Sequence, residues 1–343
     1  MKLDIKKLEL AAPAAEGLRK ACATAVDELL DPQKPRANVR GIGVGVKWKD
    51  GQPTGEPVVL VLVTHKLPKE QLGHGEVVPT KVDTLPTDVL AIGDIFAGEQ
   101  APDAGIQSLA KRIRPAKGGY SVGHKNITAG TIGTCVYDIL PGGTVSPPAH
   151  GVGIPPRYYI LSNNHVLANT NAASIGDAVL QPGPIDGGID PADRIATLSR
   201  FVPINFAAGA GNLVDAAIAQ AQFHDLDREI YWSGPVRGWR RKTGVTVGMV
   251  VKKTGRTTNF TTGRITAINA TINVNYGGGK VGRFVDQIVT TNMSAGGDSG
   301  SLVTTLDNVA VGLLYAGSSV AMIANQIENV RALLRVEVAE QIL

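Results

Sequence analysis

The sequence predicts a mainly β protein of packed sheets or closed barrels, ending in one helix and preceded by a small α/β module. Three observations carry this prediction. Forty-one glycines and twenty prolines with few aromatics imply many turns and short strands. Valine, isoleucine and threonine, which favour pleated backbone, are abundant beyond residue 120. Strand-like runs also follow one another there with almost no helical period between them. At 43% hydrophobic and 19% charged, the 343 residues can build real cores, and their number suggests two compact units.

The elements follow in order. Residues 14–30, "AAEGLRKACATAVDELL", set Leu18, Cys22, Val26, Leu29 and Leu30 at helical spacing, and Asp31-Pro32 stops the helix. Two β-rich runs in "NVRGIGVGVKWKDGQPTGEPVVLVLVTHKL" flank a Gly/Pro/Asp turn and read as a hairpin. Its Gly41, Gly43 and Gly45 lack the spacing of a dinucleotide fingerprint, and a strand follows rather than a helix. They read as glycines that let another element pack close. "PKEQL" is one helical turn and "TDVLAIGDIFA" a further strand, completing an α/β module over residues 1–100. Residues 101–119 read as a linker. Strand-like runs then fall at 130–137, 157–162, 194–202, 214–220, 246–252, 262–275, 284–291, 301–305 and 309–315. "NQIENVRALLRV" closes the chain with Ile327, Val330, Leu333 and Leu334 on one helical stripe.

Several function classes are set aside. The net charge of +4 has no long basic run behind it, and the patch at 236–242 reads as a solvated loop, so no nucleic-acid partner is expected. Two cysteines, Cys22 and Cys135, make neither a disulfide framework nor a metal cluster. The start, "MKLDIKKLEL", lacks a signal-peptide core, and the longest apolar run, 58–63, is far short of a span. The expectation is a soluble cytoplasmic protein with no membrane partner, metal or cofactor. Asp186, Asp190 and Asp193 in "DGGIDPAD" do not fit an EF-hand loop and read as an acidic surface loop.

Chemistry concentrates in three places. "SAGGDSGSLV" puts Ser299 on a glycine-rich turn running into a strand. Those residues alone describe any tight turn, and a nucleophile needs a base and a group to orient that base. His165 ends the apolar strand of "YYILSNNHVLAN", a rigid mount for a base. Asp215 is the one charge in the strand-like run "GNLVDAAIAQA", where a buried carboxylate demands a partner.

In the order His165, Asp215, Ser299, these contexts resemble the chymotrypsin-like serine peptidases of bacterial type. "GGDSGS" is similar to the family's Gly-Asp-Ser-Gly motif, and "SNNHVLA" and "VDAAIA" to its histidine and aspartate segments. "KKTGRTTNFTTGRIT" and "VGLLYAGSS" resemble a strand pair and the pocket-wall strand of its second barrel. The resemblance implies a double β-barrel with a C-terminal helix over residues 120–343, and a serine endopeptidase acting on protein or peptide through an acyl-enzyme. It also implies the roles of a Ser-His-Asp triad. Ser299 is the nucleophile, His165 the general base and Asp215 its orienting carboxylate. The amides of Gly297 and Ser299 form the oxyanion hole. Met293 and Ser294 floor the substrate pocket, and Tyr315, Ala316 and Gly317 wall it. No carboxylate or histidine stands there, so an uncharged side chain before the cut is expected. Where animal relatives insert a new N-terminus beside Asp298, this chain is expected to order its pocket without one. Ser299 is followed by Gly-Ser where many members have Gly-Gly, and the paired cysteines of secreted members are missing. The first module, outside the resemblance, is expected to regulate access or bind a partner. A homo-oligomer and a non-catalytic peptide-binding scaffold on the same fold stay open as alternatives.

Overall fold

A computed structural model describes residues 4–10, 12–49, 52–73, 76–98, 109–139, 155 and 157–338. The fold is mainly β, as the composition implied. Its first helix, Ala12–Leu29, buries Leu18, Ala21, Cys22, Ala25 and Leu29 against the strands that follow. Those strands are the expected hairpin, Val39–Lys49 paired antiparallel with Gln52–Val63. Leu85–Ala91 adds to the second of them in parallel.

The free edge of Val39–Lys49 does not face solvent. It pairs with the 17-residue strand Asn259–Asn275, with Gly41 opposite Ile272 and Val44 opposite Ile268. A Cβ on Gly41 would stand 2.6 Å from the Thr271 carbonyl oxygen, so glycine there admits the neighbouring backbone, as its spacing suggested.

Asn259–Asn275 also belongs to a barrel. Val250–Gly255 pairs with it on one side and with Leu302–Thr305 on the other. Val309–Gly317, Ala321–Gln326 and Val281–Thr291 follow in turn and return to Asn259–Asn275, closing a ring of six strands. A second, eight-stranded sheet runs Val336–Glu337, Thr134–Asp138, Tyr158–Ser162, Ala217–Ala221, Arg194–Phe201, Ala178–Leu180, Ser121–His124, Gly130–Thr131. This is the chymotrypsin-like architecture. Between the two sheets, Tyr159 and Leu161 of one meet Leu302 and Leu313 of the other. The C-terminal helix Ile327–Leu334 seals that seam with Ile327, Val330 and Leu334.

Three expectations change in detail. Asp215 precedes its strand, which begins at Ala217, because its backbone turns to meet the histidine segment. The strand Ala321–Gln326 went unread, since "AMIANQ" ends in amides that look solvated yet are buried. The loop at 186–193 is not simply an acidic surface. Asp186 is buried in an ion pair with Arg256. Of the expected linker, 101–108 lie outside the described residues. Beyond them Leu109 is buried, and Ala116–Gly118 pairs in parallel with Leu226–Ile230. Among the described residues no helix is long and apolar enough to cross a membrane.

Candidate active site

His165 sits on the single helical turn Asn164–Leu167 that follows the buried strand Tyr158–Ser162. Two asparagines fix that turn. Asn163 Nδ2 donates to the Asp215 carbonyl at 2.7 Å, and Asn164 Nδ2 donates to the Val202 carbonyl at 2.7 Å. The histidine and aspartate segments are therefore tied through backbone before their side chains meet.

The side chains then meet closely. His165 Nδ1 and Asp215 Oδ2 are 2.6 Å apart, and the His165 amide donates to Asp215 Oδ1 at 3.2 Å. Asp215 is fully buried, so its charge is held by directed donors rather than water. The Tyr276 hydroxyl supplies another, donating to Asp215 Oδ2 at 2.7 Å. Burial and the neighbouring carboxylate push the Tyr276 phenol well above its usual range, so it remains a donor. Its ring also stands edge-on to the imidazole at 6.1 Å.

The other imidazole nitrogen, Nε2, is buried with no hydrogen-bond partner among the described residues. It shares a cavity of about 430 Å³ with Ser299. Ser299 lies on the turn between Ser294 and Ser301. Thr131 pins that turn, its amide donating to the Ser299 carbonyl at 2.7 Å and its hydroxyl to the Gly297 carbonyl at 2.8 Å. Gly297 has φ +92, and a Cβ there would meet Thr257 Oγ1 at 2.5 Å, so only glycine suits the position. With both carbonyls turned into the protein, the amides of Gly297 and Ser299 have no hydrogen-bond acceptor among the described residues.

Beneath the turn, Asp298 is fully buried and Lys253 Nζ donates to its Oδ2 at 2.9 Å. Thr258 Oγ1 donates to the same oxygen at 2.6 Å, and the amides of Thr257, Thr258 and Ala295 donate at 2.9, 3.1 and 3.1 Å. An internal lysine thus balances the charge of this buried carboxylate. Arg256, which pairs with Asp186, donates its amide to Thr131 Oγ1 at 3.0 Å and braces the same turn.

A second cavity, of about 190 Å³, opens beside Ser299 and is lined by Ser294, Ala316, Gly317 and Ser318. The structure brings Ser294, Ala316 and Gly317 together there as expected. It turns Met293 and Tyr315 away, a correction to their expected place as lining residues. Met293 packs into the core under the barrel strands, and Tyr315, alternating with Leu314 and Ala316, packs against Phe284 with tilted rings 4.7 Å apart.

No family model matches the chain. Glutamyl endopeptidase 2 of Streptomyces griseus is 41% identical over 91 residues, 26% of this chain and 43% of the relative. Serine protease 2 of Streptomyces fradiae is 37% identical over 94 residues, 27% of this chain and 51% of the relative. The chain spans about half the length of the curated relatives it matches. Among solved structures, Thermobifida fusca protease A superposes with a TM-score of 0.44 at 17% identity, covering 64% of this chain and 96% of that one.

Over those stretches the chain is similar to bacterial serine proteases. Tyr276, Lys253, Arg256 and Asp186 are residues of the candidate site that the sequence reading missed. "KKTGRTT" offered a signal for Lys253 and Arg256, because two cations in one strand and turn need carboxylates if buried. Tyr276 offered none. It reaches Asp215 from the end of a strand 61 positions away.

Proposed function

We propose that this protein is a serine endopeptidase that hydrolyses peptide bonds through Ser299, His165 and Asp215. The observation that carries the reading is the buried His165–Asp215 pair at 2.6 Å, with Nε2 unpartnered and facing the cavity that Ser299 also lines. Asp215 holds the imidazole with its proton on Nδ1, leaving Nε2 basic. Nε2 takes the Ser299 proton as Oγ attacks the carbonyl carbon, and returns it to the leaving amine. The oxygen gains charge in the transition state, and the Gly297 and Ser299 amides are placed to donate to it. Water then enters by the same route and releases the acyl group. In the free protein Ser299 Oγ makes no hydrogen bond to His165, the looser arrangement common before substrate closes a site.

The S. griseus relative is named for glutamate. The cavity beside Ser299 is lined mostly by serines, alanines and glycines, together with Phe96, Asn292 and Leu314, with no cation or imidazole among its described residues, which supports a preference for uncharged side chains here. The free, buried thiols of Cys22 and Cys135 support a place in a reducing compartment such as the cytoplasm.

A fluorophosphonate probe followed by peptide mapping tests the proposal. Labelling at Ser299, lost in Ser299→Ala together with peptide hydrolysis, is the expected result. An unlabelled, folded protein that still binds peptides would establish the scaffold alternative instead.

A further inference from the structure

Phe96 N–H donates to the Gly317 carbonyl at 3.1 Å, and Gly317 N–H donates back to the Phe96 carbonyl at 3.0 Å, a two-way antiparallel pair. On its other side the segment is tied to Asn275. Asn275 N–H donates to the Ile95 carbonyl at 3.0 Å, and Ala97 N–H donates to the Asn275 carbonyl at 2.9 Å. The segment is thus stitched between Val309–Gly317 and Asn259–Asn275. It also borders both cavities at the nucleophile. Phe96 and Gly98 line the one holding Ser299, Ala316 and Gly317, and Phe96, Ala97 and Gly98 the one holding Ser299 and His165.

An extended peptide gains its main-chain bonds by adding to an open strand edge, one donor and one acceptor at every second residue. Ser299, Ala316 and Gly317 share a cavity, so a peptide with its carbonyl at Ser299 has the edge of Val309–Gly317 beside its acyl side. At Gly317 that edge is already paired.

We propose that Phe96–Gly98 is a built-in strand occupying the acyl-side main-chain slot of the cleft, so that the intact protein gains nothing from extending a substrate on that side. The proposal rests on the serine-peptidase reading of Ser299. Because the strand is tethered, its effective concentration lies in the millimolar range, and a micromolar peptide does not displace it. Reagents that need no main-chain bonds on the acyl side do not compete with the segment for the edge of Val309–Gly317. The segment acts on substrate length, and whatever loosens it lengthens the peptides the enzyme accepts.

The test compares substrates carrying one, two or three acyl-side residues, the same residue before the cut and the same chromogenic amine. In the intact protein kcat/KM is expected to vary by less than about threefold across the series. Phe96→Pro removes the N–H that bonds Gly317, and should raise the ratio of kcat/KM for the three-residue substrate to that for the one-residue substrate by about tenfold. A gain of tenfold with length in the intact protein overturns the proposal, as does a Phe96→Pro variant with no length dependence. Amide exchange gives an answer that needs no variant. Phe96 and Gly317 should exchange slowly in the free protein and stay slow after labelling by a small fluorophosphonate. Fast exchange at both in the free protein overturns the strand itself, whether or not Ser299 reacts. Failure of the probe to label Ser299, with both amides protected, refutes the peptidase reading and leaves the strand in place.

Discussion

Replacing Lys253 by methionine removes the cation beneath the nucleophile turn while keeping the length of the side chain. Lys253 is buried, and burial lowers its pKa while Asp298 opposes that shift, so the ammonium is held there by the carboxylate. Removing one partner of a buried pair costs about 3–5 kcal/mol, because the other charge stays behind unpaired. Asp298 would keep four donors, the hydroxyl of Thr258 and the amides of Thr257, Thr258 and Ala295. The expected loss therefore sits at the lower end, about 3 kcal/mol. Denaturant unfolding of parent, Lys253→Met, Asp298→Asn and the double variant reads the pair directly. Their coupling should exceed about 1 kcal/mol, the double variant being less destabilised than the sum of the singles. The same Asp298 aligns the amides of Thr257 and Ala295 that flank the turn, so fluorophosphonate labelling of Ser299 should slow in Lys253→Met. A Lys253→Met protein within about 0.5 kcal/mol of the parent would refute the reasoning, as an ordinary surface substitution would do no more.

Ser299→Ala and His165→Ala should each abolish peptide hydrolysis, and the double variant should be no worse than either, since the two act as one unit; clear residual turnover in Ser299→Ala would sink the assignment. Tyr276→Phe should keep the fold but lower kcat more than it raises KM, because the lost donor serves Asp215 and touches no substrate; an unchanged kcat would count against it as a positioning residue. On a peptide library, cleavage after uncharged residues should dominate, and strict cutting after Glu, Arg or Lys would contradict the pocket reading. Asp177 accepts from the Ser174 amide, Lys125 and His124, which hold its carboxyl well below its usual value. A depressed folded-state pKa gives stability that is present above the unfolded value and lost as pH falls, so Asp177→Asn should destabilise at pH 7 and progressively less below about pH 4. Equal destabilisation at both pH values would contradict that linkage.

The sequence made the strands and the candidate site residues legible for one reason. Ser299, His165 and Asp215 each stand at a change of pattern, where an apolar run meets glycine or amide residues, and local pattern is what a sequence displays. The helix at 12–29 and the hairpin beyond it were legible on the same grounds. The hidden parts depend on partners distant in the chain. Asp186 looks like any acid in a polar loop until Arg256 arrives from 70 residues away. The resemblance put Tyr315 on the pocket wall beside Ala316, but successive residues of a strand point to opposite faces, and the Tyr315 face is the inward one. Asp215 seemed to belong to its strand because Val214 and Ala216 are apolar, and they are buried beside a turn instead.

The strand Asn259–Asn275 has a consequence for handling the protein. It pairs with Val281–Thr291 from Ile265 to Asn275 within the barrel, with Val250–Gly255 over its first residues, and from Ile268 to Ile272 it also pairs with Val39–Lys49. Trimming the chain to the region that matches known peptidases would strip that cover and leave a row of unpaired amides and carbonyls flanked by buried isoleucines. Such an edge recruits other strands. A shortened version should therefore be sticky rather than merely inactive, precipitating or pairing with itself during expression. The leading hundred residues would then count as a fitted splint, to be kept on the barrel or replaced by something that pairs equally well.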